Sequence, residues 1–234
     1  MCMGATGATV GELVKGARRR ARAAKRPMMM VDLVAAVAPD DERGPDLIRR
    51  IAIHEAGHSV VAQTNAMGRI LGISIVSDGD RGGFAHIEGD GRLPTREDVE
   101  QHVMQRLGGR AAEEVILGSV GTGSGGHVHS DLAVATRQVA LMHLGLGMGD
   151  SMVYRADEDG VDHILSFDAR ISALVDQDLQ RLYAQTVALV QSQVDMIEAI
   201  ADDLIVRRHI GPARFLEIVD GVHTARQSKG TDNG

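Results

Sequence analysis

The pentapeptide His54-Glu55-Ala56-Gly57-His58 restricts this chain more than any other stretch of it. Residues four apart on an α-helix share a face, about one turn from each other. Two imidazoles so placed can hold one Zn²⁺ from one side. The glutamate next to the first then lies beside the metal, where it can take a proton from water. The pattern needs a helix, and its surroundings fit one: Ile48, Ile51 and Ile53 precede it, and Val60, Val61 and Ala62 follow at helical spacing. The alternative is a helix with two buried, metal-free histidines. A chance HExxH arises in roughly a few per cent of chains with this much histidine, so the apolar frame favours the metal. Gly57 costs about 1 kcal/mol against Ala inside a helix. A glycine there points to close approach of another backbone or of substrate.

At 234 residues and 44% hydrophobic the chain can bury a core of one or two domains. Aromatics make up only 2% and Trp is absent, so aliphatic side chains and the 11 Met must fill that core. The net charge of −7 argues against nucleic acid as a partner. Arg18, Arg19, Arg20, Arg22, Lys25 and Arg26 form a local exception that reads as the solvated face of a helix. The single cysteine, Cys2, allows no disulfide framework within one chain and fits a reducing compartment. No apolar run is long enough for a membrane helix, and no signal peptide is evident, so the expectation is a soluble polypeptide in the cytoplasm.

The pattern predicts a mainly α fold with a small β-sheet and a C-terminal helical bundle. A helix is expected over residues 5–26, with Thr9 and Glu12 as a capping box, and a short one from Met30 to Val37. Pro39 to Pro45 reads as a linker, with a domain boundary there and 41–45 as its core. The motif helix should run from about Asp46 to Ala66. Ile70 to Val76 reads as a strand and Gly83 to Ile87 as a second one. Thr95 and Asp98 mark the start of a helix ending near Leu117. Gly118 to Gly126, with five glycines in nine residues, is a loop without a phosphate-binding GxxxxGK[ST] pattern. A helix then starts at Ser130 or Asp131 and ends near Leu144. Residues 168–208 give two long helices, with Ile171, Leu174, Val175, Leu179 and Leu182 on one stripe. A short helix is expected from Pro212 to Val219, and a disordered polar tail from Thr224.

A catalytic zinc usually has three protein ligands and one open position. No histidine occurs between Ser59 and Arg69, just after the motif, so the third ligand lies further on. Glu113, Glu114, His127, His129 and Asp131 are all of suitable type, and spacing alone does not choose among them.

The stretches His54–Ala62, Leu107–Gly118 and Ser130–Met148, with the closing helical region, resemble the peptidase domain of FtsH-type ATP-dependent zinc metalloproteases in order and approximate spacing over residues 46–220. The resemblance implies that Asp131, in the place of the aspartate of an Asn-Asp-[Leu/Ile]-x-x-Ala-Thr motif, completes the site with His54 and His58. Ser130 stands where that motif has Asn. It also implies that Glu113 or Glu114, in a Gly-Gly-Arg-x-Ala-Glu-Glu signature, orients a zinc-bound histidine, with Glu114 preferred. Residues 1–40 are similar to the end of an AAA+ lid, which would leave 46–223 as the peptidase.

The resemblance implies a zinc endopeptidase in which Glu55 is the general base. Such an enzyme would act on unfolded or translocated proteins, normally as a homo-hexamer coupled to an AAA+ ATPase. The ATP-binding core and any inner-membrane anchor would then lie upstream. The strand at Gly83 to Ile87 could add an extended substrate to the sheet edge, with Phe84 against a substrate side chain. A catalytically weak assembly domain and a regulatory module using the basic helix are the competing readings.

Overall fold

The computed structural model describes residues 7–29, 32, 33, 36, 41–76, 82–88 and 93–231. The chain is mainly α-helical with one small antiparallel sheet, as its pattern implies. In order, the described elements are α1 (Gly7–Ala23), α2 (Pro45–Thr64), β1 (Arg69–Ser74), β2 (Phe84–Glu88), α3 (Arg96–Leu117), a 3-10 turn (Thr122–Ser124), α4 (Asp131–Leu144), α5 (Val161–Phe167), α6 (Ala169–Ser192), α7 (Val194–Arg207), β3 (His209–Ile210) and α8 (Pro212–Thr231).

Local chemistry explains most boundaries. Pro45 opens α2, where its missing N–H costs no helical bond, and Asp46 sits in the first turn. The Thr95 hydroxyl accepts from Asp98 N while the Asp98 carboxylate accepts from Thr95 N, so the expected capping box is present. Gly118 ends α3 in the left-handed region at φ 67. Ser130 caps α4, and Asp168 caps α6 by accepting from Arg170 N and Ile171 N.

Helices α2 and α3 cross in backbone contact. A Cβ on Gly57 would lie 2.5 Å from the Gly108 carbonyl oxygen and 2.6 Å from Ala112 Cβ; one on Gly108 would lie 2.9 Å from the Gly57 carbonyl. Gly57 is therefore explained by another backbone. Gly57→Ala should gain helix propensity yet lose roughly 2 kcal/mol overall, because overpacking at an immovable backbone outweighs the gain of about 1 kcal/mol. Denaturant unfolding checks this; a variant as stable as the parent would refute the close crossing.

The sheet order is β2-β1-β3, with Ile73 opposite Ala85 and Ile210, and Ser74 opposite Phe84 and His209. β2 is thus an edge strand among the described residues. One core cluster joins α2, β1, α7 and α8 through residues such as Ile53, Ile73, Ile200, Leu204 and Phe215. A second, with Val103, Leu107, Val139, Leu144 and Leu182, joins α3, α4 and α6. Aliphatic side chains carry both; Met142 and Met196 are the buried methionines among the described residues.

Several expectations need correction. α1 is already helical at Gly7, so Thr9 lies inside it rather than at its cap. α8 continues to Thr231, so the tail from Thr224 is helical that far. Arg226 explains the extension: its guanidinium pairs with Asp195 and donates to the Ser192 carbonyl and Gln193 Oε1, tying α8 to the α6–α7 corner. α5 and β3 leave no mark in the sequence pattern: seven and two residues are too short for a clear period. On α6, Leu174 is exposed while Val175 and Leu182 are buried. The expected helix from Met30 to Val37 falls largely outside the described residues; Asp32, Leu33 and Ala36 are helical. Of the linker, Pro39 and Asp40 are not described. Asp41 and Arg43 bond to each other, Arg208 reaches Asp41, and Arg43 donates to the carbonyls of Ile75 and Gly82. The segment entering α2 is thereby held against the sheet.

Candidate metal centre

The α2 helix carries His54 and His58 on one face, and both are buried where it crosses α3. Each ring has one nitrogen committed. His58 Nδ1 lies 2.7 Å from the Gln105 carbonyl oxygen, which can only accept, so Nδ1 carries the hydrogen. His54 Nδ1 lies 2.8 Å from Glu113 Oε1 and donates to that carboxylate. In the neutral tautomers both Nε2 atoms then present lone pairs, and these face each other at 3.0 Å. Asp131, the first residue of α4, places Oδ2 3.3 Å from each Nε2. Its other oxygen is 3.7 Å from Arg106 Nη1.

Two lone pairs and a carboxylate oxygen converging on one point repel one another unless a cation lies between them. The spacing suits a small one. Tetrahedral zinc with ligands at 2.0–2.2 Å holds them about 3.3 Å apart, against the 3.0 and 3.3 Å found here. Among the described residues, His54, His58 and Asp131 are the one group of His, Cys, Asp and Glu atoms close enough to share a metal ion. His127 and His129 are exposed and outside it; His127 Nδ1 accepts from the His129 backbone N–H.

The electrostatics agree with a site built for positive charge. Burial alone would push the His54 imidazole down, but the Asp131 and Glu113 carboxylates push it up to about 10. Against its own burial, Asp131 is held far below the usual carboxylate range by His58 and His54. Glu113, despite burial, is held to about 2 by His54, Arg50 and the Gly121 N–H. A proton and a divalent cation are alternatives at His54 Nε2, so metal binding there would release the proton. Glu55 is also buried, which pushes its carboxyl up, while the charges of His58 and His54 act against that shift.

Of the two glutamates named from the sequence, Glu113 orients a histidine and Glu114 does not. Glu114 is exposed and accepts from the Tyr183 hydroxyl on α6. One residue along a helix turns the side chain by about 100°, which is enough to separate the two. Helical spacing carried the missed signal: Gln105, Gly109 and Glu113 recur every fourth residue, and all three face the histidines. Gly109 makes room for a ring, since a Cβ there would lie 2.6 Å from His54 Nε2 and Cε1. Gly83 does the same for the base candidate: a Cβ would come within 2.8 Å of Glu55 Oε1 and 2.7 Å of the Ser74 carbonyl. The residue just before β2 therefore lies directly against Glu55, and Phe84, the first residue of β2, is partly exposed.

The sequence model of peptidase family M41 matches residues 46–218. An ATP-dependent zinc metalloprotease FtsH 2 of Symbiobacterium thermophilum is 33% identical over 164 residues, covering 68% of this chain and 28% of that protein. One of Sphaerobacter thermophilus with the same name is 33% identical over 159 residues, covering 67% of this chain and 23% of its own length. A mitochondrial ATP-dependent zinc metalloprotease FTSH 3 of Oryza sativa is 28% identical over 164 residues, covering 67% and 20%. The chain spans less than a third of the length of these relatives.

Proposed function

This chain belongs to peptidase family M41, and we propose on that premise that it is a zinc-dependent endopeptidase acting on unfolded or translocated polypeptides. The observation that carries the reading is the convergence of His54 Nε2, His58 Nε2 and Asp131 Oδ2, with both Nδ1 atoms already donating elsewhere. Those three residues would hold the ion. Bound zinc supplies a Lewis acid that acidifies water and polarises a peptide carbonyl.

The chain's own groups would do the rest. Glu55 accepts a proton from the attacking water and returns it to the leaving amine. Glu113 and the Gln105 carbonyl keep the two imidazoles in the tautomer that leaves Nε2 free. β2, an edge strand preceded by Gly83 against Glu55, offers main-chain donors and acceptors to an extended polypeptide. Pairing through the main chain tolerates many sequences, which suits an unfolded substrate. Phe84 would meet a substrate side chain.

The FtsH relatives are named ATP-dependent, and this chain matches under a third of each. We therefore place residues 46–223 as the peptidase domain, residues 1–40 as the end of an AAA+ lid, and an ATPase upstream that delivers substrate within a homo-hexamer. Any membrane anchor belongs to that upstream part, with the peptidase facing the cytoplasm; among the described residues no helix is long and apolar enough to cross a membrane.

Metal analysis of the purified chain should find about one zinc per chain. Casein cleavage should stop with a chelator and return with Zn²⁺. A chain that takes up no zinc would refute the site. Stoichiometric zinc with no cleavage, even when fused behind the ATPase of an active relative, would favour an assembly domain instead.

A further inference from the structure

Arg50 lies four residues before His54 and eight before His58, on the same face of α2. It touches neither Nε2 atom. Its guanidinium instead reaches two other elements. Nη1 donates to Glu113 Oε2 and, at 2.9 Å, to the Ser119 carbonyl; Nη2 lies 3.0 Å from Ser119 Oγ. The Gly121 N–H donates to the same Glu113 oxygen at 2.7 Å. With Oε2 taken by two donors, the buried carboxylate has Oε1 left for His54 Nδ1.

A carboxylate bonded to one imidazole alone can rotate about its terminal torsion, which is broad. Here Arg50 and Gly121 fix it. Ser119 is also the first residue after the α3 cap, at the start of the glycine loop that leads to Asp131. One side chain thus joins the helix with two ligand histidines to the loop that delivers the third ligand. The loop packs tightly at Gly121: a Cβ there would lie 3.1 Å from Glu113 Oε2 and 3.2 Å from Arg50 Cδ.

We propose that Arg50 is a positioning residue of the metal centre, holding His54 through Glu113 and anchoring through Ser119 the loop that carries Asp131. This role rests on the site being a zinc site. Arg50→Met keeps the apolar stem and removes every donor. It should weaken Zn²⁺ binding, measured by chelator competition, by about 10–100-fold. It should also alter the visible spectrum of the Co²⁺-substituted chain, and Arg50→Lys should recover part of both. In a Glu113→Ala background the same change should have a smaller effect, because its route to His54 is gone and only the loop anchor at Ser119 remains.

Arg50→Met with wild-type affinity and an unaltered Co²⁺ spectrum would overturn the inference. Equal losses with and without Glu113 would overturn the route through Glu113 to His54. If Arg50→Met does not fold, Arg50→Gln takes its place under the same criteria. A parent chain that binds no zinc would instead defeat the zinc reading itself.

Discussion

Glu55→Gln should leave zinc bound and reduce peptide hydrolysis by about 10²–10⁴-fold, the usual worth of a positioned general base. The substitution keeps shape and removes only the ability to accept a proton. Glu55 lies outside the group of three ligand atoms, so metal content should stay at the parent level. It is nonetheless close enough for the charges of His54, His58 and Asp131 to act on its carboxyl. Gly83 confines it, with no room for a methyl group between β2 and Oε1. The carboxylate is thus held between the start of the edge strand and the proposed metal site. Cleavage of a quenched fluorescent peptide at matched zinc occupancy measures the effect. A rate near that of the parent would assign the base elsewhere.

Gly109→Ala should have a comparable effect for a different reason. Its new methyl would sit 2.6 Å from His54 Nε2 and 2.7 Å from Cδ2, well inside contact distance. The ring has nowhere to move without losing something, since Nδ1 is bonded to Glu113 and Nε2 points into the site. Displacing it would remove one of the three proposed ligands. The loss of zinc affinity should exceed the roughly 10–100-fold expected from disturbing only a ligand's outer partner. Stability should change less than in Gly57→Ala, because the clash at 109 is with a side chain and the clash at 57 is with backbone. Zinc content and competition binding, read beside circular dichroism, would check this. Full zinc occupancy in the folded variant would mean that the ring has more freedom than its contacts indicate.

Much of this architecture could be read from local pattern. The capping box at Thr95 and Asp98, the serine cap at Ser130 and the glycine end of α3 are short-range hydrogen-bond chemistry. They leave their mark within three or four residues. The tail beyond Thr224 is different: its composition is polar, and Arg226 is held by Asp195, Ser192 and Gln193 at the distant α6–α7 corner. Likewise Glu113 and Glu114 are equivalent as letters. Which of them faces His54 depends on how α3 is turned against α2.

That His54 and His58 share one face could be read from the sequence, because a helix turn places residues four apart together wherever the helix lies. The peptidase resemblance likewise rested on motifs whose order survives in the chain alone. The third member of the candidate metal site could not be chosen by spacing: Asp131 reaches His54 across 77 residues. Its meeting with the imidazoles depends on the α2–α3 crossing and on where the glycine loop ends. The same crossing decides which ring nitrogens are free, why Gly57, Gly108 and Gly109 have no side chain, and what Arg50 holds. Those are contacts between segments far apart in the chain, and no local period records them.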